Sequence, residues 1–340
     1  MRPAFSDDLT TVYAGDCLRV LPRLSAASVD ALVTDPPAGI GFMGLDWDRA
    51  PDRAAFIAVM TEVMTECRRV LRPGAYALVW AIPRTSHWTA TALEDAGFEV
   101  RDVMTHIFGS GMPKSLDCGR FDHDWSGCGT ALKPATEHWI LARSPLAEAT
   151  VADNLRRYGV GALHIDACRV PGEPSPSIDR RRSPGRYGAV SSFRNPAHLH
   201  SPALYGRERP GESIGRWPAN LVLSHEQDCD GGCRPGCPVE VIGQPARFFY
   251  TAKPSRLERE DAGPNPHPTV KSLALMSHLC ALVTPVAGSV LDCFAGSGTT
   301  LVAARGLGFR AIGIERDRSY LPALIRRVRH AVSAKLERAA

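Results

Sequence analysis

The sequence predicts an α/β fold, a mostly parallel sheet with helices on its faces, broken once by a long loop-rich insertion. Three observations carry this. Up to about Ser144, short apolar runs alternate with amphipathic helical stretches. From about Pro145 to Pro264 that periodicity stops, and segments such as PGEPSPSIDRRRSPGRYG are rich in Pro, Gly, Ser and Arg. The alternation then returns and runs to the end, and neither flank carries enough strands to complete a layered domain by itself.

Val29–Asp35 (VDALVTD) reads as a buried strand. Pro51–Arg72 reads as a helix, with Phe56, Met60, Val63, Cys67 and Val70 on one stripe, stopped by Pro73-Gly74. Ala75–Ile82 is the next strand, Thr85–Ala96 a helix closed by Gly97, and Phe98–Phe108 and His138–Arg143 further strands. After the insertion come a helix at Ser272–Val283, a strand at Ser289–Cys293 and a helix from Gly298 to Gly306. A strand at Arg310–Glu315 and a last helix from Arg318 to about Leu336 complete the pattern. The expected division is therefore 1–144 and 265–340 as two halves of one domain, with 145–264 inserted.

The chain has 340 residues, 44% hydrophobic and 22% charged, which excludes a disordered chain. Its 40 Lys and Arg against 36 Asp and Glu permit an anionic partner without requiring one. The longest apolar stretch, about nine residues, is far short of the roughly 20 needed to span a bilayer. The start, MRPAFSDDLTTVY, has no apolar signal region, so a cytoplasmic protein is expected. Ten cysteines at irregular spacing do not form the framework of a small secreted domain, leaving reduced thiols or a metal site.

Two turns carry chemistry. In Val290-Leu291-Asp292-Cys293-Phe294-Ala295-Gly296-Ser297-Gly298-Thr299-Thr300, a strand enters a small-residue turn that permits close approach of a ligand. The next strand ends in Glu315, placed to bind paired ribose hydroxyls, so together they read as a nucleoside-cofactor site. The second is Thr34-Asp35-Pro36-Pro37-Ala38-Gly39. Its prolines bias the backbone toward extended geometry, and the turn can offer the Asp35 carboxylate and the Pro36 carbonyl to one amino group. An amine whose lone pair is delocalised into a base ring attacks poorly. Accepting both its hydrogens frees that lone pair, which favours the transition state selectively.

DPPAGIGFMGLDWD, then NPHPTVKSLALM, then LDCFAGSGTT with IGIERD, resembles the permuted, beta-class S-adenosylmethionine-dependent DNA amino-methyltransferases. The similarity spans the chain outside the insertion. It implies a Rossmann-like methyltransferase sheet, circularly permuted, with the insertion as a target-recognition region. It also implies that Asp35, Pro36 and Pro37 hold the target amine, and that Phe294, Ala295, Gly296, Ser297 and Gly298 line the methionine part of the cofactor. Asp292, Thr299 and Arg316 flank these elements in the expected cofactor site. Glu315 would take the ribose, Asp16 and Cys17 would meet the adenine, and His267, Thr269 and Lys271 would close the pocket.

The family's aromatic after the prolines is Ala38 here, where base stacking is worth about 1–3 kcal/mol. Phe42 or Trp47 is the expected substitute ring, with an engineered inactive Tyr→Ala form or a decayed enzyme as the alternatives. Cys293 and Ser272 replace prolines that the family often carries.

His225, Cys229, Cys233 and Cys237 repeat at equal spacing, interrupted by Gly231-Gly232 and Pro235, so they suit a knuckle around structural zinc rather than a helix. Unliganded reduced thiols are the alternative, and Cys118, His123 and Cys128 form a looser triple. Arg180, Arg181, Arg182, Arg186, Arg194, Arg207, Arg209 and Arg216, interleaved with Tyr187, Phe193, Tyr205 and Trp217, suit contacts to double-stranded DNA. The expectation is methyl transfer from S-adenosylmethionine to a flipped base of DNA, adenine N6 ahead of cytosine N4, by a protein that the resemblance implies can be a homodimer. A catalytically silent DNA-binding or cofactor-binding protein, and an RNA methyltransferase, are the alternatives.

Overall fold

The computed structural model describes residues 2–109, 111, 115–170, 217–225, 229, 233, 237–242, 249–251 and 263–339. Among these residues ten strands form one sheet in the order β1-β2-β10-β9-β3-β4-β6-β5-β7-β8. They are β1 (Phe5–Ser6), β2 (Thr10–Ala14), β3 (Val29–Thr34), β4 (Leu71–Ala81), β5 (Glu99–Ile107) and β6 (Thr136–Arg143), then β7 (Leu221–Ser224), β8 (Phe249–Thr251), β9 (Ser289–Asp292) and β10 (Arg310–Glu315). From β2 to β4 neighbours run parallel, whereas β6 is antiparallel to both β4 and β5. This is the mixed, mostly parallel Rossmann-like sheet.

Among the described residues the α-helices are α1 (Cys17–Val20), α2 (Arg53–Val70), α3 (Ser86–Asp95), α4 (Val151–Tyr158) and α5 (Pro238–Ile242), followed by α6 (Leu273–Val283), α7 (Thr299–Gly306) and α8 (Leu321–Ala339). Strand alternation sorts them between two faces. Ala31 and Val33 of β3 join a core with Leu279, Leu301 and Leu324 of α6, α7 and α8. Leu32 points the other way and packs with Phe56, Met60 and Leu93 of α2 and α3. Among the described residues no helix is long and apolar enough to cross a membrane.

The two flanks of the chain meet at the β3–β9 pair, where Ala31 and Leu32 register with Val290 and Leu291. Polar clips hold both ends of this seam. Asp30 Oδ2 accepts from the Ser289 amide and hydroxyl, each at 2.8 Å. At the other end the Thr34 hydroxyl donates to Asp292 Oδ1 at 2.7 Å.

Two expectations change. Pro73-Gly74 does not terminate α2, which ends at Val70. It lies inside β4 beside a register shift in the pairing with β3, and the Gly74 amide donates to Ser144 and Pro145 carbonyls at 3.1 and 3.0 Å. Nor does the loop-rich region begin at 145. Asn154 of α4 donates to the Pro73 and Val160 carbonyls, each at 2.8 Å, and Cys168 joins the core of Leu279, so residues 145–170 pack on the sheet. Short polar segments hide such docking because it is made by one amide rather than by an apolar stripe.

Candidate active site

From β9 the chain passes through α7 to β10 on one side, while from β3 it passes through α2 to β4 on the other. Diverging connections open a crevice at the carboxyl ends of the two middle strands. A cavity of about 1110 Å³ occupies this position. It takes in Asp16 and Cys17 after β2, Asp35, Pro36, Pro37, Ala38, Phe42 and Trp47 after β3, and His267, Thr269 and Lys271 before α6. Asp292, Phe294, Ala295, Gly296, Ser297 and Thr299 after β9, with Glu315 and Arg316 at the end of β10, complete the set that it brings together.

Gly298 stands apart from that wall. At φ 79° it caps α7, and a Cβ there would meet Leu324 at 2.9 Å, so its glycine serves the packing of α8 under the turn. Gly296 faces the cavity side, where a Cβ would lie 2.8 Å from His267 Nε2. The turn is held from beneath by Arg327 of α8, whose Nη1 donates to the Ser297 carbonyl at 2.8 Å, its hydroxyl at 2.9 Å and the Thr299 hydroxyl at 3.0 Å. The expectations did not include Arg327, which sits in a helix whose sequence signals only amphipathicity.

Glu315 accepts the Gly296 amide at 2.7 Å and the Asp317 amide at 2.6 Å. Burial outweighs those two amides and pushes its carboxyl up to about 7. Asp292 lines the cavity but is engaged by Thr34 and by the Phe294 amide at 3.1 Å, which makes it chiefly a clip of the seam. Asp16 caps α1 by accepting the Leu18 amide at 2.9 Å. Trp47 and His267 stack at 6.5 Å between centroids, and Tyr320 meets His267 edge-on at 4.6 Å.

On the opposite side Lys271 Nζ lies 3.5 Å from Asp35 and 3.0 Å from Glu137, and 3.9 Å from the centre of the Trp80 ring. Trp80 Nε1 also donates to Glu137. Burial pushes the Asp35 carboxyl up to about 6, against the pull of Lys271 and with help from Glu137. Burial acts upward on Glu137 as well, but the Lys271 charge and the His106 hydrogen bond outweigh it and hold that carboxyl well below its ordinary range. Burial would discharge Lys271, yet its two carboxylates raise its pKa. The grouping is thus a cation between two acids of opposed tendency. Glu137 and Trp80 escaped the sequence reading because both sit in strands that read as plain sheet.

Asp48 sets the loop after the prolines. Its carboxylate accepts the amides of Ala38 at 2.5 Å, Gly39 at 3.0 Å, Ile40 at 3.3 Å and Phe42 at 2.7 Å, and it is buried. Ala38 is 8% exposed and its carbonyl accepts the Thr85 hydroxyl at 3.2 Å, so the position is pinned on both sides. The repeated acids of LDWD were the available signal for Asp48.

His225, Cys229 and Cys237 bring their ligand atoms within 4.8 Å of one another, and Cys233 Sγ lies 3.6 Å from His225 Nδ1. Cys118, His123 and Cys128 form no such cluster among the described residues. The arginines from Arg180 to Arg216, with Tyr187, Phe193 and Tyr205, lie outside the described residues; Trp217 is exposed, with Arg169 5.7 Å from its ring centre.

The fold is thus a Rossmann-like α/β sheet whose crevice carries a glycine turn and an acid on one side and a proline-flanked acid on the other. A family model described as DNA methylase matches residues 29–326, and the chain belongs to that family of DNA amino-methyltransferases. Type II methyltransferase M.BamHI of Bacillus amyloliquefaciens is 30% identical over 88 residues, 25% of this chain and 20% of that protein. DNA adenine methyltransferase YhdJ of Escherichia coli K12 is 40% identical over 70 residues, 20% of this chain and 23% of that protein. The chain thus spans about a fifth of the length of each of these relatives. The structure of the PvuII cytosine-N4-specific DNA methyltransferase shares the fold, with a TM-score of 0.55 and 14% identity, over 96% of this chain and 88% of that one.

Proposed function

We propose that the chain transfers a methyl group from S-adenosylmethionine to the exocyclic amine of a base flipped out of double-stranded DNA, adenine N6 in the first instance. The observation that carries this reading is one cavity lined both by Glu315 with the glycine turn and by Asp35-Pro36-Pro37. The residues suit the cofactor. Glu315 offers a carboxylate for vicinal hydroxyls, Phe294 and the stacked Trp47 an apolar wall, and Gly296 a backbone without side-chain bulk.

Bound there, S-adenosylmethionine supplies an electrophilic methyl group. Asp35 and the Pro36 carbonyl accept the two amine hydrogens, which frees the nitrogen lone pair for in-line attack. On methylation the nitrogen would become acidic and release one proton to Asp35 or water, the methyl–sulfur bonding pair remaining with the departing cofactor. Lys271 holds Asp35 in the ionised form that this requires.

The adenine preference rests on the Asp ahead of the prolines. Among its relatives, YhdJ is named an adenine methyltransferase and PvuII a cytosine-N4 enzyme. Residues 1–144 and 265–340 supply the two sides of the centre in this reading, and the Arg-rich part of 145–264 contacts DNA. Labelled methyl transfer to duplex DNA, with RNA as competitor and the product base resolved by mass, tests it. Labelled N6-methyladenine is the expected result. N4-methylcytosine would reverse the base assignment, transfer to RNA the substrate, and no transfer with retained DNA binding would favour a silent binder. Sedimentation of the purified protein tests the homodimer.

A further inference from the structure

The sheet carries a second constellation that the transfer reaction does not use. β7 runs parallel to β5, so its last residue emerges on the same carboxyl edge as the cavity. His225 follows it directly. Cys233 Sγ and Cys237 Sγ lie 3.6 and 3.8 Å from His225 Nδ1, and Cys229 joins His225 and Cys237 within 4.8 Å. Thiolate sulfurs at ~2.3 Å and an imidazole nitrogen at ~2.1 Å from a tetrahedral ion stand about 3.5–3.8 Å apart, which is the spacing of Cys233 and Cys237 from His225.

Among the described residues, packing gives this corner little. Its core consists of Leu223, Cys237 and Val239, with Cys229, Ile107 and Leu221 against it. Such a cluster is far smaller than the two main cores, so cross-linking ligands would supply what burial does not.

The corner is also tied to the cavity. The hydroxyl of Ser224, the residue before His225, lies 2.7 Å from His106 Nε2, and His106 Nδ1 lies 2.8 Å from Glu137 Oε1. Glu137 in turn holds Lys271.

We infer that His225, Cys229, Cys233 and Cys237 bind one Zn²⁺ as a closed structural site. The ion clasps the end of β7 to α5 and so fixes the outer end of the Ser224–His106–Glu137 chain. Binding deprotonates the thiols, replaces three S–H bonds by Zn–S bonds and releases the protons to solvent; no oxidant takes part.

The inference is independent of the methyl-transfer reading, because its measurement is the metal itself. Purified full-length protein is expected to hold one zinc per chain. After exchange into Co²⁺ it should show tetrahedral d–d bands and thiolate-to-cobalt charge transfer. Cys233→Ser, at the exposed ligand, should lower the charge-transfer intensity by roughly a third, since two thiolates remain of three, while Cys128→Ser leaves it unchanged. Metal removal should speed amide exchange at Leu221–Ser224 more than at β3. Absence of zinc together with a cobalt-silent protein, or a disulfide among the three cysteines in freshly purified material, would overturn the site. Bound zinc whose removal leaves exchange at β7 unchanged would overturn the clasp. Should Cys233→Ser not fold, the cobalt spectrum and exchange of the unaltered chain decide both points.

Discussion

The ammonium of Lys271 lies 3.5 Å from the carboxylate of Asp35, although the two come from opposite ends of the chain. Burial raises Asp35 to about 6 and Lys271 opposes that rise. A carboxylate that must accept amine hydrogens works only when ionised, so transfer should fall as pH drops through about 6. Lys271→Gln removes the opposing charge, and its acidic limb should move to higher pH. Profiles of kcat/KM against pH check this, and an unmoved limb would show that Lys271 does not govern Asp35.

Asp35→Ala deletes the acceptor while leaving the glycine turn untouched. Transfer should fall by about 10²–10³-fold or more, the scale expected for one preorganised transition-state contact. Calorimetric binding of S-adenosylmethionine should stay within about twofold, since uniform binding is not what the carboxylate supplies. A fully active variant would defeat the mechanism.

Trp47 is stacked on His267, on the glycine-turn side of the cavity, whereas Phe42 sits in the loop that Asp48 gathers. The two rings should separate by readout. Trp47→Ala should raise the Kd for the cofactor, and Phe42→Ala should raise the KM for DNA by about tenfold, the lower range for loss of one base stack. If Ala38→Tyr alone confers activity, neither ring replaces the missing aromatic.

Asp48→Ala leaves the amides of Ala38, Gly39, Ile40 and Phe42 without their shared acceptor. Stability should fall by about 3 kcal/mol, given net contributions of about 1.5–3 kcal/mol for hydrogen bonds to a charged group and incomplete relaxation of the loop. Urea denaturation measures it. Asp48→Asn, which retains one acceptor oxygen, should lose less.

Glu315 is raised to about 7 by burial. Ribose hydroxyls donate best to its carboxylate, so cofactor affinity should rise with pH, by up to about tenfold between pH 6 and 8. Glu315→Gln should bind more weakly and lose that dependence.

The sheet was legible where apolar runs are long. β10 matches its expected bounds, β9 ends one residue early, and α6 and α7 each begin one residue late. β2, β7 and β8 were not legible, because runs of five, four and three residues are too short to show a period. The turns after β3 and β9 were readable because prolines and glycines punctuate sequence strongly. Glu137 and Arg327 were not, since their roles are made by partners distant in sequence, and Asp48 binds nearby loop amides that no periodicity reveals.

The β3–β9 seam has a consequence for synthesis. A growing chain emerges amino end first, and α2, α3 and β3 to β6 can condense early. The strand that carries the glycine turn must then add to the open edge of that partly built sheet beside β3, and β10 beside it, before β2 can take its place. No nascent chain that stops before β9 therefore holds both walls of the cavity, and the proposed methyl transfer should begin only once β9 and β10 have docked.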